Sequence, residues 1–251
     1  MKILGIIPAR YASSRFPGKP VALISGKPMI QWVYERANEL FRELYVATDN
    51  AQIASVVESF GGRYVLTSEK HRSGTDRCAE ALSLIRKKTS QNFDVVVNIQ
   101  GDEPFIQTKQ LSLLVESFKQ KDIHIATLIK QIDCNEDVFN PTKPKVVVSK
   151  NGKALYFSRS PIPFFRDEQQ NAWVDKHRYF KHIGLYAYRS DVLEDICQLP
   201  QSNLEVAESL EQLRWLENGY HIHAEETDIE SISVDTPEDL QKAEEWAKNN
   251  L

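Results

Sequence analysis

The sequence predicts an α/β protein built on a doubly wound, mostly parallel sheet, with a smaller excursion of strands in its second half. Three observations carry this. Up to residue 100, short apolar runs rich in β-branched residues alternate with amphipathic stretches, as when both faces of a sheet are covered. Beyond residue 100 the alternation gives way to a hairpin pattern and one long strand. A well-capped helical segment then closes the chain.

The runs at 3–7, 43–48, 63–67 and 94–99 read as strands, with helices at about 28–42, 50–60 and 73–88 between them. Right-handed crossovers make such strands parallel. Gly61-Gly62 reads as the cap ending the second helix. A helix at 107–119 and a strand at 124–129 follow. The stretch 144–159 then reads as two strands around "SKNGK", with Asn151-Gly152 as a type I′ turn. A long strand is expected at 179–189, helices near 190–197 and 204–218, and a strand at 232–234. The last helix, 237–248, has Thr236 as N-cap, Pro237 at its first position and Glu238 and Asp239 in its first turn. The polar, aperiodic stretch 165–178 reads as a surface loop.

Composition narrows the partners. The chain has 251 residues, 41% hydrophobic, enough for a substantial core, and its length fits one large α/β domain or two small ones. Its net charge of -4, with Lys and Arg dispersed, lacks the basic footprint of a nucleic-acid binder. Cys78, Cys134 and Cys197 lie far apart, as reduced thiols do in a cytoplasmic protein, and Cys134 and Cys197 are expected to be buried. The opening run "MKILGII" is too short for a signal peptide, and no run approaches a membrane span of about 20 residues.

The chemistry concentrates where the first strand ends. "IPARYASSRFPGKP" sets Arg10, Arg15 and Lys19 among Ser13, Ser14, Pro17 and Gly18 in a stretch without hydrophobic period. In an open α/β sheet ligands bind at the carboxyl ends of strands, where the strand order reverses. Cations and backbone N–H groups at a Ser/Gly turn suit a polyphosphate there. Neither a Walker A loop nor a GxGxxG fingerprint is present, which argues against a P-loop enzyme and a dinucleotide oxidoreductase.

A second stretch, "VVVNIQGDEP", brings Gln100 and Asp102 off a strongly apolar strand at the same sheet edge. Asp235 follows the apolar "ISV". Each aspartate alone is also a common turn or cap residue. If 232–234 joins the sheet, the two converge, and carboxylates beside a phosphate loop suit Mg²⁺ and phosphoryl or nucleotidyl transfer.

From end to end, the motifs "IPARYASSRFPGKP", "YVATD", "SGTDR", "VNIQGDEP", "KVVVSKNGKALYFSRSPIP", "HIGLYAYR", "LEQLR" and "VDTPEDL" resemble the bacterial 3-deoxy-manno-octulosonate (Kdo) cytidylyltransferases. The resemblance implies a fold of the nucleotide-sugar transferase type, a single domain over 1–251. Its nucleotide part would span about 1–120 and 225–251, and a sugar-binding, dimerising excursion about 121–224. The implied reaction transfers CMP from CTP to Kdo with release of pyrophosphate, using Mg²⁺, in a cytoplasmic homodimer that serves lipopolysaccharide synthesis. A related acidic sugar, 8-amino-Kdo or a sialic acid, and a non-catalytic CTP-binding regulator are the alternatives.

Carried over by motif, Arg10, Ser14, Arg15 and Lys19 would hold the triphosphate. Pro8, Ala9, Ser73, Gly74, Arg77 and Gln100 would surround the cytidine, and Asp102 and Asp235 would bind metal. Arg15, Lys19, Asp102 and Asp235 would be the catalytic groups. Arg159, His182, Tyr186, Glu211 and Gln212 would line the sugar pocket. Taken alone, Arg159 reads as a strand-end charge, His182 and Tyr186 equally as core, and Glu211 and Gln212 as exposed helix residues. His71, His124, His177, His221 and His223 read as structural or solvated.

Overall fold

The computed structural model describes residues 1–12, 15–230 and 232–250. Along the chain run β1 (Ile3–Ala9), β2 (Leu23–Ile24), β3 (Lys27–Pro28), α1 (Met29–Asn38), β4 (Leu44–Thr48), α2 (Ala51–Ser59) and β5 (Tyr64–Leu66). Next come α3 (Gly74–Thr89), β6 (Val95–Asn98), α4 (Thr108–Ser117), β7 (Ile125–Gln131), α5 (Asn135–Phe139), β8 (Lys145–Val148) and β9 (Ala154–Ser158). The chain ends with α6 (Trp173–Lys176), β10 (Phe180–Arg189), α7 (Ser190–Ile196), α8 (Asn203–Glu208), α9 (Gln212–Glu217), β11 (Ile222–Glu226) and α10 (Pro237–Asn250). It divides into two compact units, one of residues 1–112, 189–197 and 231–251, the other of 113–188 and 198–230.

In the first unit the strands run β6-β1-β4-β5, every neighbouring pair parallel. All residues of β4 and β6 are buried, which explains their unbroken apolar spelling. From β1 the chain moves outward through β4 and β5, then returns to place β6 on the other side, so the order reverses between β1 and β6. Asn50 caps α2 by accepting from the Gln52 and Ile53 N–H groups. Its far end closes as expected. Gly61, at φ 77°, donates to the Glu58 carbonyl and Gly62 to that of Val57, a Schellman arrangement.

The stretch 232–234 forms no strand. Val234 is instead a fully buried plug among Ile24, Met29, Phe105, Ala243 and Ala247. Its apolar spelling reflects burial in that cluster. The helix after it keeps the predicted cap: the Asp239 N–H donates to Thr236 Oγ1 at 3.2 Å, and the Thr236 N–H to Asp239 Oδ2 at 3.1 Å.

In the second unit β7 pairs parallel with β11 and antiparallel with β10, while β8 joins β10 and β9 to make the strand excursion. β11 escapes the sequence reading because Ile222 and Ala224 are its only buried positions. The hairpin turn is not type I′. Gly152 has φ 78° and donates to the Ser149 carbonyl at 3.0 Å, but Asn151 lacks the positive φ that type I′ demands.

Three further expectations are corrected. The loop 165–178 contains a 3-10 turn and α6, and its Trp173 is 1% exposed, stacked on Tyr179 at 5.8 Å. One large aromatic anchors a polar segment that has no period to reveal it. The helix expected at 204–218 is two, because Ser209 takes φ 50° after α8. Cys134 is exposed and Cys197 half-buried, whereas Cys78 is buried, and none of the three is in a disulfide.

Candidate active site

In the first unit a cavity of about 300 Å³ opens off the carboxyl ends of β1 and β6, at the reversal of strand order. Pro8, Ala9 and Arg10 line it from the end of β1, Gln100 and Asp102 from beyond β6, Ser73, Gly74 and Arg77 from the start of α3. Arg15, Lys19 and Asp235 complete the set carried over by motif, except Ser14, which lies outside the described residues. Backbone contact at the edge is close: a Cβ on Gly101 would meet the Pro8 carbonyl oxygen at 2.9 Å.

The opening loop is closed by the Gly18 N–H, which donates to the Tyr11 carbonyl at 2.9 Å, and Gly18 takes φ 73° to do so. A 3-10 turn, Lys19–Val21, follows and fixes the root of the Lys19 side chain. The Lys19 ammonium donates to Asp102 Oδ2 at 2.8 Å and to Asp235 Oδ1 at 3.1 Å. Arg15 lies 3.2 Å from the same Asp235 oxygen. The two carboxylates therefore converge on one cation without a strand at 232–234. Their backbones are also tied, Val234 N–H donating to the Asp102 carbonyl at 2.9 Å.

Arg77 is a buried support for the cavity wall. Its guanidinium donates to Asp49 Oδ2 at 2.7 Å, Thr67 Oγ1 at 2.6 Å and the Ser68 carbonyl at 3.3 Å. Ser73 is the N-cap of α3, accepting from the Asp76 N–H at 3.1 Å. Sequence reasoning missed four lining residues, Pro20, Gly101 and the two polar ones, His71 and Arg72. His71 Nε2 lies 2.5 Å from Glu80 Oε2, while Arg72 adds an exposed cation. The latter's signal was position alone, immediately before the Ser73 cap.

The five residues carried over as a sugar pocket all fall in the second unit. His182 and Tyr186 meet, ring centroids 5.2 Å apart, although the register of β10 against β7 shifts between Ile183 and Tyr186. His182 Nε2 is 2.9 Å from Thr127 Oγ1, and burial pushes its pKa down to about 3. Burial, reinforced by Glu211, raises that of Tyr186. Arg159 spends its guanidinium on the carbonyls of Glu208 at 2.7 Å, Pro141 at 2.9 Å and Ser209 at 3.2 Å. Glu211 accepts from Arg214 at 2.8 Å. Gln212 is 4% exposed, contrary to its reading as a helix surface residue, and its Nε2 has no hydrogen-bond partner. The break at Ser209 turns α9 away from the line of α8 and buries that side chain.

The cytidylyltransferase family model matches residues 4–245. The chain is 56% identical over 251 residues to a 3-deoxy-manno-octulosonate cytidylyltransferase of Phocaeicola vulgatus, covering 99% of this chain and 98% of that one. It is 54% identical over 247 residues to the enzyme of the same name from Parabacteroides distasonis, with 97% of each covered. Among solved structures, a CMP:2-keto-3-deoxy-manno-octonic acid synthetase complexed with CTP superposes with a TM-score of 0.91, at 42% identity and full coverage of both chains.

Proposed function

The chain belongs to the 3-deoxy-manno-octulosonate cytidylyltransferases, and from that premise we propose that it transfers CMP from CTP to the anomeric hydroxyl of Kdo, releasing pyrophosphate. One observation carries the reading into this chain's own residues: a single cavity gathers Arg10, Arg15 and Lys19 with Asp102 and Asp235 at a topological switch point.

The cations line a site for the triphosphate, and their charge offsets the negative charge that grows on pyrophosphate as it leaves. Pro8, Ala9, Ser73, Gly74 and Gln100 form the wall for the cytidine, held in place by the buried Arg77. Catalysis then rests on alignment of the sugar hydroxyl with the α-phosphorus and on electrostatics. Arg159, His182, Tyr186, Glu211 and Gln212 bind the acidic sugar. Gln212 brings a buried amide ready for a hydroxyl partner, and neutral His182 hydrogen-bonds without adding charge.

The donor set suits Mg²⁺: two carboxylates already converge on one cation, and Mg²⁺ is bound through one or two carboxylates plus substrate phosphates. Asp102 and Asp235 would hold it. When bound, the ion supplies Lewis acidity, favouring ionisation of the sugar hydroxyl and neutralising phosphate charge.

A second copy of the chain is the proposed protein partner, with the β8–β9 excursion at the contact. Exposed Leu155 on β9 and Phe164 shortly after it, at 55% and 71%, support a covered apolar face. The setting is cytoplasmic, supplying activated sugar for lipopolysaccharide; among the described residues no helix is long and apolar enough to cross a membrane.

Pyrophosphate release with CTP and Mg²⁺ tests the reading, with Kdo, 8-amino-Kdo and sialic acid compared and ATP, GTP and UTP as controls. Release with CTP and Kdo alone is expected. Release with the amino sugar instead would move the pathway but keep the chemistry; CTP binding without release would mark a regulator.

A further inference from the structure

Lys19 places one ammonium on both carboxylates that the proposed function assigns to metal, at 2.8 Å from Asp102 and 3.1 Å from Asp235. Its side chain is 12% exposed, whereas the carboxylates of Asp102 and Asp235 remain partly open to solvent at 29% and 38%. The Val234 N–H ties its segment to the Asp102 carbonyl at 2.9 Å, which keeps the backbones of the two aspartates close. A cation between the carboxylates offsets their mutual repulsion. The ammonium sits on one oxygen of each carboxylate, in the place between them that a divalent ion would take, and the two positive charges compete for that place.

Only the far end of Lys19 is free to move. Its N–H donates to the Phe16 carbonyl, and its own carbonyl accepts from Ala22 at 3.1 Å. Arg10 and Arg15 line the same cavity, so a polyphosphate drawn to them lies within the reach of the Lys19 chain.

We infer that Lys19 is an internal counter-ion that blocks the metal site until the nucleotide's phosphates draw its ammonium away. The inference rests on the assignment of Asp102 and Asp235 as metal ligands and adds an order to it. Nucleotide-free protein holds divalent cations weakly, and nucleotide opens the carboxylates. Because binding linkage is reciprocal, metal at the carboxylates strengthens the hold of Lys19 on phosphate.

The test is Mn²⁺ binding to nucleotide-free protein, followed by the electron paramagnetic resonance signal of free Mn²⁺. Lys19→Met is expected to bind Mn²⁺ about tenfold more tightly than wild type or more, since a charge-assisted hydrogen bond no longer opposes the metal. Lys19→Arg, which keeps the charge, is expected to show no gain. A neutral Lys19→Gln variant covers the case in which the Met variant fails to fold. Equal affinity in wild type and both neutral variants would overturn the counter-ion role. The metal assignment has its own readout: Mn²⁺ held by the CTP-loaded protein beyond that held by the same amount of CTP alone must be lost when Asp102→Asn and Asp235→Asn are combined. If that Mn²⁺ persists, the assignment falls, and the inference with it. If it is lost while Lys19→Met shows no gain, the assignment stands and the inference alone fails.

Discussion

The Val234 N–H donates to the Asp102 carbonyl at 2.9 Å, and this one backbone bond fastens the approach to Asp235 onto the segment leaving β6. Buried Val234 anchors the same approach from below. The backbones that carry the two carboxylates are thus fastened to each other by contacts that involve neither cation nor substrate.

Asp102→Asn keeps that frame and removes a charge. Loss of several kcal/mol of transition-state stabilisation corresponds to roughly a hundred- to thousandfold lower turnover. CTP binding, which rests on the cationic loop, persists. Pyrophosphate release and calorimetric titration with CTP measure the two separately; near-normal turnover would remove Asp102 from the mechanism.

Asp49→Ala strands the Arg77 guanidinium, whose side chain is 4% exposed, without its carboxylate. Breaking a buried pair from one side costs about 3–5 kcal/mol. Urea denaturation should show a loss of that order, and CTP should bind more weakly because Arg77 shapes the cavity wall. Unchanged stability would mean the pair is not a support.

Arg159→Lys tests the three-carbonyl clamp of Arg159. A lysine ammonium cannot reproduce a planar fork on Pro141, Glu208 and Ser209. The KM for the sugar is expected to rise about ten- to a hundredfold with that for CTP unchanged. A change in the CTP constant alone would contradict the assignment to the sugar side.

His182 has a folded pKa of about 3, set by burial, against about 6.5 in an unfolded chain. Between those values the unfolded state takes up a proton that the folded state refuses. Stability is therefore whole above about pH 6.5 and falls as pH drops through the window, by up to about 1.4 kcal/mol per unit. Denaturant titrations from neutral to acidic pH should give a shallower decline for His182→Phe than for wild type. Parallel curves would show that His182 is not the titrating group.

Trp173→Ala should cost about 3–5 kcal/mol, as for other buried aromatic truncations. It would also free the stretch 165–178 to proteolysis, since the stack on Tyr179 and the Nε1–H bond to the Glu168 carbonyl are lost together. Limited proteolysis with denaturation is the check, and a stable, resistant variant would refute the anchor.

Much of this was legible in the spelling. Continuous apolar β4 and β6 announce strands covered on both faces, and Thr236-Pro237 announces the start of α10 because capping is a local matter of a few residues. Arg10, Arg15, Lys19 and Asp102 could be picked out as charges set at strand ends. Trp173 could not, since one buried ring in a polar segment leaves no period. Nor could Gln212, whose burial follows from the left-handed turn at Ser209 rather than from any pattern within α9.

By itself the sequence determined the alternation of strands and helices, the caps that bound them, and the chemical types available at one sheet edge. These follow from periodicity and local hydrogen bonding, which act over a few residues. The tertiary structure alone decided which distant groups meet: Lys19 with Asp102 and Asp235, and Arg77 with Asp49. Such meetings depend on how strands are ordered and on single backbone bonds across 132 positions, as from Asp102 to Val234. No local pattern encodes a contact of that separation; burial and topology select it when the core closes.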